Sequence, residues 1–434
     1  MSIPVVTVGQ SLEDLVGGLE RLHGPVTVVR RCNELPELLA ACQSGLARAA
    51  VVAEGTEALT ASLVDRLGAV GVAIIALTDN AEEAERLRKI GVASALTGVA
   101  STELSDRISD AVAQLAGSVR PAIRSTPADT GVALVCETVE PQPDPEGQGT
   151  GRLIAVWGPA GSPGRTTVAV NIAGELAADG SDVLLVDADT YGASVAAVLG
   201  LLDESAGLAQ ACRLADQGQL DADALRRVAA TVATASGTFR VLTGITRADR
   251  WTELRAAALA IVLERARQIA DVVVVDTGFC LEADEELSFD TVAPRRNAAT
   301  LRPLELADTV YAVGAADPVG VPRMVRALAE LEAAVPQASP IVVMNKVRSS
   351  SVGRAPERQL RDAWERYGPA FGLKSFLPHD PSAADASLLA GSLLLEAAPE
   401  SVLRHAIRAL VCAPAQRKPK SSVFSSTPRR RSNG

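Results

Sequence analysis

Apolar runs of four to six residues, built from Val, Ile, Leu and Ala, recur along residues 1–116 and are separated by stretches with a helical spacing of apolar positions. This pattern predicts strands over 4–8, 26–29, 49–53 and 72–77 and a weaker one over 94–97. Helices are expected over 12–22, 35–43, 59–67, 81–90 and 103–115. Strands alternating with helices imply a parallel sheet with right-handed crossovers. A second series follows residue 150, with strands over 153–157, 182–186, 239–242, 271–275, 308–313, 340–344 and 374–377. Helices are predicted over 168–178 and 251–269, and the Ala/Leu/Arg-rich stretch 201–238 reads as helical. Near-continuous Val and Ile runs such as 272–275 suit central strands covered on both faces.

Between the two series, Pro121, Pro127, Pro141, Pro143 and Pro145 with Gly147 and Gly149 mark a linker that cannot hold a packed core. The C-terminal stretch carries Arg417, Lys418, Lys420, Arg429, Arg430 and Arg431 without an acid, and it too reads as disordered. The expected organisation is therefore an α/β unit over 1–116, a linker over 117–150, a doubly wound α/β unit over 151–413 and a basic tail over 414–434. A 47% hydrophobic, 3% aromatic composition builds the core from aliphatic side chains, and a net charge of -10 argues against polyanion binding over the whole surface. The basic tail offers a local contact for anionic lipid or nucleic acid, or it only solubilises. Six scattered cysteines with no C-x-x-C pair read as free thiols of a reducing compartment. With no signal-peptide pattern and no apolar run near the roughly 18 residues that span a bilayer, a cytoplasmic protein is expected.

The first unit suits a flavodoxin-like fold and resembles the receiver domain of response regulators. A receiver needs an acidic pair after its first strand, where this chain has Gly9, Gln10 and Ser11. It needs an aspartate ending its third strand, where Ala53 and Glu54 stand. Without clustered carboxylates the unit is expected to bind a protein partner and not to be phosphorylated.

Candidate chemistry lies at 152–167, Arg-Leu-Ile-Ala-Val-Trp-Gly-Pro-Ala-Gly-Ser-Pro-Gly-Arg-Thr-Thr. A strand, a Gly-rich loop and a helix are the context of a phosphate-binding loop, whose backbone N–H groups cradle phosphate oxygens. Gly164, Arg165 and Thr166 match the end of G-x-x-x-x-G-K-[ST], with arginine for lysine, and Pro159 stands where the first glycine belongs. Asp187, Asp189 and Asp276 follow apolar strands, where a triphosphate-bound Mg²⁺ needs ligands and an attacking water needs orientation.

The run Gly158 to Ala173 resembles the deviant Walker A loop of the ParA/MinD ATPases, K-G-G-x-G-K-T-T followed by a helix ending N-[IL]-A, here Asn171-Ile172-Ala173. Asp187-Ala188-Asp189 resembles that family's switch I and Asp276-Thr277-Gly278 its Walker B. Asn345-Lys346 resembles the adenine-contacting Asn segment, and Leu377-Pro378-His379-Asp380 the late Pro-x-Asp. A receiver-like domain, a linker and this ATPase is the layout of the CpaE-like branch. The resemblance implies ATP and Mg²⁺ as cofactors and an ATP-dependent homodimer. It implies a nucleotide contact from Gly161, Ser162, Pro163, Gly164, Arg165, Thr166, Thr167, Asn345 and Pro378. Thr166, Asp187 and Asp276 would face Mg²⁺, with Asp189 and Arg165 as the catalytic pair. It further implies a spatial regulator of septum placement, polar pilus assembly or segregation, recruited to membrane, pole or septum. The family's signature lysine falls at Ala160, and Arg165 is a planar fork where a compact ammonium is usual. Slow hydrolysis is therefore expected. A scaffold that uses both units only to bind proteins is the alternative.

Overall fold

The computed structural model describes residues 2–9, 13–22, 24–118, 151–201, 205–282, 294–369 and 372–412. The expected linker beyond residue 118 and the basic tail lie outside the described residues.

Two sheets organise the chain. The first contains β1 (Ile3–Val8), β2 (Val26–Cys32), β3 (Ala49–Val52), β4 (Ala73–Leu77) and β5 (Ala93–Ala95) in the order β2-β1-β3-β4-β5. Every pairing is parallel. The crossover helices are Glu13–Arg21, Leu35–Gln43, Ala61–Ala69 and Ala81–Lys89, and Ser101–Ser118 follows β5. Val5, Val6, Ala49, Ala50, Val51, Val52 and Ile75 are shielded on both faces, as the apolar runs require.

The second sheet contains β6 (Arg152–Trp157), β7 (Val183–Ala188), β8 (Ala230–Thr234), β9 (Gly237–Leu242), β10 (Val272–Thr277), β11 (Thr309–Ala315), β12 (Pro340–Val347) and β13 (Leu373–Pro378). Its order is β13-β12-β11-β6-β10-β7-β9-β8, parallel except for the β8–β9 hairpin. One face is covered by helices Arg165–Ala178 and Val402–Val411, the other by Gly207–Asp216 and Ala256–Ile269. β6 lies between β10 and β11, so the strand order diverges around it, and a crevice opens beyond the carboxyl ends of these strands.

Two expectations differ from what is observed. The stretch 201–238 is not wholly helical, because Ala230–Thr234 pairs as an edge strand with β9. Its alternating Ala-Thr-Val-Ala-Thr has no strong local preference, and pairing decides it. The long helix begins at Ala256, not at Trp251, after a 3₁₀ turn over Ala248–Glu253. In that turn Arg247 pairs with Asp249 and Arg250 with Glu253.

The two units meet. Asp216 accepts from the Ser62 N–H at 2.7 Å. Arg86 donates to the Leu59, Gln217 and Thr56 carbonyls at 3.0, 3.2 and 2.7 Å. Ala257 and Ile261 of helix Ala256–Ile269 pack against the core beneath β3 and β4. Gly218 is in a left-handed conformation, and a Cβ there would lie 2.8 Å from the Arg86 carbonyl oxygen. Among the described residues no helix is long and apolar enough to cross a membrane.

Candidate functional site

The crevice is built from the loop that leaves β6. Gly161, Ser162 and Gly164 all have positive φ, at +107°, +51° and +100°. Such consecutive reversals turn peptide N–H groups toward one concavity. Helix Arg165–Ala178 starts at once, with Gly164 as its N-cap and no side chain on its first amides. Those amides and the positive end of the helix dipole face the crevice. The loop is held from behind. A Cβ on Gly158 would lie 2.1 Å from the Val313 carbonyl oxygen, so only glycine lets the strand turn against β11.

Four side chains fasten the loop. Asn345 donates to the Pro163 carbonyl at 2.8 Å, and its amide nitrogen lies 2.5 Å from where a Gly164 Cβ would be. Its own oxygen accepts from the Lys346 N–H at 2.7 Å. Lys346, at φ +59°, donates from Nζ to the Ser162 carbonyl at 2.9 Å. Arg323 donates to the Ala160 carbonyl at 2.9 Å. Arg165 folds under its own loop, donating to the Gly158 carbonyl at 2.8 Å and to Asp189 at 3.2 Å. Thr167 offers its carbonyl to Asn171, whose oxygen accepts from the Leu394 N–H at 2.8 Å. Asn171 thus ties the helix to the C-terminal segment.

Three aspartates stand at the ends of β7 and β10. Asp276 accepts from the Thr166 hydroxyl at 2.6 Å, and Ser194 donates to the same hydroxyl oxygen at 3.3 Å. The other Asp276 oxygen is buried and has no hydrogen-bond partner. Burial and the neighbouring Asp187 charge hold its carboxyl well above the usual range, against the Thr166 bond and the Arg165 charge. Asp187 is engaged by the backbone of the turn that follows β7. It is 1% exposed, and its two oxygens accept from the Asp189 and Val195 amides at 3.3 and 3.0 Å. It closes the turn that follows β7, and burial raises its carboxyl to about 7. Asp189 accepts from the Tyr191 and Gly192 amides at 2.8 and 3.1 Å, which leaves its second oxygen to Arg165.

The space enclosed is about 660 Å³, and its walls include the loop residues Gly161 to Thr167 together with Asp189, Asn345, Pro378 and Asp380. Asp380 caps helix Pro381–Ala390 through the Ala383 amide and accepts from Ser401, and these bonds hold its carboxyl below the usual range.

Residues 154–389 match the family model described as the CobQ/CobB/MinD/ParA nucleotide binding domain. The chain belongs to that family. A comparison with curated proteins found no match. Among solved structures, a ParA family ATPase from Chlorobium tepidum TLS is 19% identical with a TM-score of 0.50, covering 60% of this chain and 98% of its own. The cell division ATPase MinD of Pyrococcus furiosus is 22% identical, with a TM-score of 0.46, 60% of this chain covered and 97% of its own. The septum site-determining protein MinD of Pyrococcus horikoshii OT3, complexed with Mg-ADP, is 20% identical, with a TM-score of 0.46 and coverages of 60% and 94%.

Within this nucleotide-binding domain the structure adds residues that sequence spacing did not single out. Tyr191, on the crevice wall, stacks on Phe279 with ring centroids 4.8 Å apart and carries the Arg296 guanidinium 3.8 Å from its ring centroid. Its hydroxyl donates to Asn297 at 2.8 Å, and Arg296 donates to the Thr190 carbonyl at 2.7 Å. The turn bearing Asp189 is thereby clamped to the segments on either side of residues 283–293. No motif spacing announces such a clamp, because Phe279 lies 88 residues, and Arg296 and Asn297 105 and 106, beyond Tyr191 in sequence. Arg323 was equally hidden, since it acts on a backbone carbonyl and not on a partner of recognisable type; Lys346 stood in the sequence only as the neighbour of Asn345, and its bond to the loop did not show there.

Proposed function

We propose that residues 151–413 form an ATP- and Mg²⁺-binding switch of the ParA/MinD type, which dimerises with nucleotide bound and hydrolyses it slowly. The observation that carries this reading is the half-satisfied carboxylate at the foot of the loop. Asp276 keeps one buried oxygen without a donor while Thr166 occupies the other. An uncompensated buried carboxylate is costly unless a cation completes it. The glycine-built loop in front of it, with its open helix amides, fits the phosphates that bring such a cation. Bound Mg²⁺ neutralises charge that develops on the transferred phosphoryl group.

In this reading the amides of Gly161 to Thr167 hold phosphate oxygens, Thr166 and Asp276 face the metal, and Asp187 shapes the turn behind them. Asn345 and Pro378 border the space left for the base. Arg165 must release Asp189 before it can meet a phosphate, and Asp189 is then free to orient a water. Ala160 contributes no cation, which supports slow turnover. The Mg-ADP complex of the Pyrococcus horikoshii relative is the precedent for the cofactors. Residues 1–116 serve as a non-phosphorylated docking unit for a protein partner. The protein acts as a spatial regulator in septum placement, polar pilus assembly or segregation, in the CpaE-like layout. The basic tail adds a contact with anionic lipid or nucleic acid.

The Arg165–Asp189 pair favours a second reading, a scaffold in which nucleotide never displaces the arginine. Equilibrium binding of a fluorescent ATP analogue to the full chain, with and without Mg²⁺, separates the two. Mg²⁺-dependent binding lost in Thr166→Ala supports the switch. Absence of binding at millimolar nucleotide overturns it in favour of the scaffold.

A further inference from the structure

We infer that the cleft between the two units is a binding site for a small phosphorylated molecule. It lies between helix Ala61–Ala69 of the first unit and helices Ala256–Ile269 and Ala298–Leu306 of the second, and encloses about 340 Å³. That volume is in the range of small-molecule sites, and it is lined apart from the phosphate loop.

Its wall holds four arginines, Arg66, Arg255, Arg295 and Arg302. Arg302 is paired with Glu305 at 2.8 Å, and Arg255 leans toward Asp216 at 3.7 Å. Arg66 and Arg295 form no ion pair among the described residues. Among the cleft's lining residues, three buried donors are left over. The Ser62 hydroxyl, on a residue 6% exposed, has no hydrogen-bond partner, and neither has Nε of Arg66 or Nε of Arg302. Ser62 and Arg66 are one helical turn apart and present these donors from one face. Thr60 is the residue that caps this helix, through the Leu63 N–H, so the Ser62 hydroxyl is not explained by capping.

Buried donors without acceptors are uncommon, and each one invites an explanation. Here the missing partner must bring acceptor oxygens, because the two guanidinium Nε groups can only donate and the hydroxyl can donate as well. Planar guanidinium forks match phosphate oxygens in pairs. The wall acids Asp65, Glu282 and Glu305 are exposed, whereas the unsatisfied donors are buried. Ala257, Ala298 and Leu301 supply an apolar wall for the body of the ligand. A phosphate ester with an apolar or aromatic body meets both demands. Since both units contribute donors, occupancy would fasten residues 1–116 onto the nucleotide-binding domain.

The probe is inorganic pyrophosphate, titrated by calorimetry into the full chain carrying Thr166→Ala. That background weakens the phosphate loop, so the outcome does not depend on the reading of that loop. Binding is expected to persist there and to weaken about tenfold or more when Arg66→Gln and Arg295→Gln are added. Because neither arginine has an ion-pair partner among the described residues, the variants should melt with their parent, which checks that they fold. Leu301→Trp, which fills the cleft without altering a charge, should also abolish binding. No heat in the Thr166→Ala background, or an affinity unmoved by the arginine changes and by Leu301→Trp, overturns the proposal.

Discussion

At the scale of single residues the site is governed by one imbalance. Asp187, Asp189 and Asp276 converge beside one crevice, and among the described residues the one ion pair to them is that of Arg165 with Asp189. Asp276→Asn removes a buried charge while keeping an oxygen for Thr166. Its carboxyl is raised in the fold, so the charged form penalises folding once pH rises above the ordinary carboxylate value, and the penalty saturates above the raised one. The variant should therefore be more stable than wild type without metal at pH 7.5, and the gain should shrink toward pH 4. Mg²⁺ with nucleotide should raise the melting temperature of wild type and not of the variant. Thermal melts across pH check both, and a variant less stable than wild type at pH 7.5 contradicts the account. The cysteines give a second test. Burial raises the Cys42 thiol to about 12 and the Cys212 thiol further, whereas Cys280 is partly open. Among the five described cysteines, iodoacetamide at pH 8 should modify Cys280 first, as read by peptide mass spectrometry. The aspartates were legible in the sequence because each ends a Val- or Leu-rich strand. What they touch was not, since Asp187 closes its own turn by bonding backbone amides that carry no sequence signal.

At the scale of elements, the strands were readable because a buried parallel strand must be apolar along its whole length. The edge strand Ala230–Thr234, half exposed, escapes that rule, and so it read as helix. The helix behind the phosphate loop shows how the elements are locked. Glu175, 2% exposed, is paired with Arg404 of helix Val402–Val411 at 2.6 Å, with Arg408 at 3.9 Å. Removing one partner of a buried pair strands the other charge, at about 3–5 kcal/mol. Arg408 remains to take up part of that charge, so Arg404→Ala should cost about 2–4 kcal/mol in chemical denaturation. The equivalent change at the exposed Arg358–Asp362 pair should cost under about 1 kcal/mol. Equal losses at the two sites would show that the pair does not anchor the last helix. Gly158→Ala belongs to the same scale. The Val313 carbonyl cannot retreat without breaking the β6–β11 contact, so overpacking by about 1–3 kcal/mol is expected, again by denaturation.

At the scale of the whole molecule, the contact between the units combines polar bonds around Arg86 and Asp216 with apolar packing by Ala257 and Ile261. Arg86 is its hub. One guanidinium joins two carbonyls of its own unit to the Gln217 carbonyl of the other, while Glu83 neutralises it. Gly218, the next residue, needs its left-handed backbone to let the Arg86 carbonyl approach, so no bulkier residue fits without moving the units apart. Arg86→Ala leaves Glu83 without its ion-pair partner and takes a donor from each of three carbonyls. Gly218→Val acts from the opposite side, through a clash and a strained φ, and touches no charge. Both should loosen the same contact by different physics. Small-angle scattering of either full-chain variant should give a larger radius of gyration than wild type, and thermal unfolding should separate into two transitions. Arg107→Ala, which removes an exposed ion pair with Glu103 on the first unit alone, is the control and should change neither. If Arg86→Ala and Gly218→Val also scatter like wild type, the contact is held mainly by Ala257 and Ile261, and Ile261→Asp should then be the change that opens it. The order of these effects decides whether the first unit is fastened by its polar hub or by its apolar centre. A unit fastened by the hub can be released by a ligand or partner that competes for donors and acceptors. One fastened by the centre can be released only by covering the apolar surface it leaves behind.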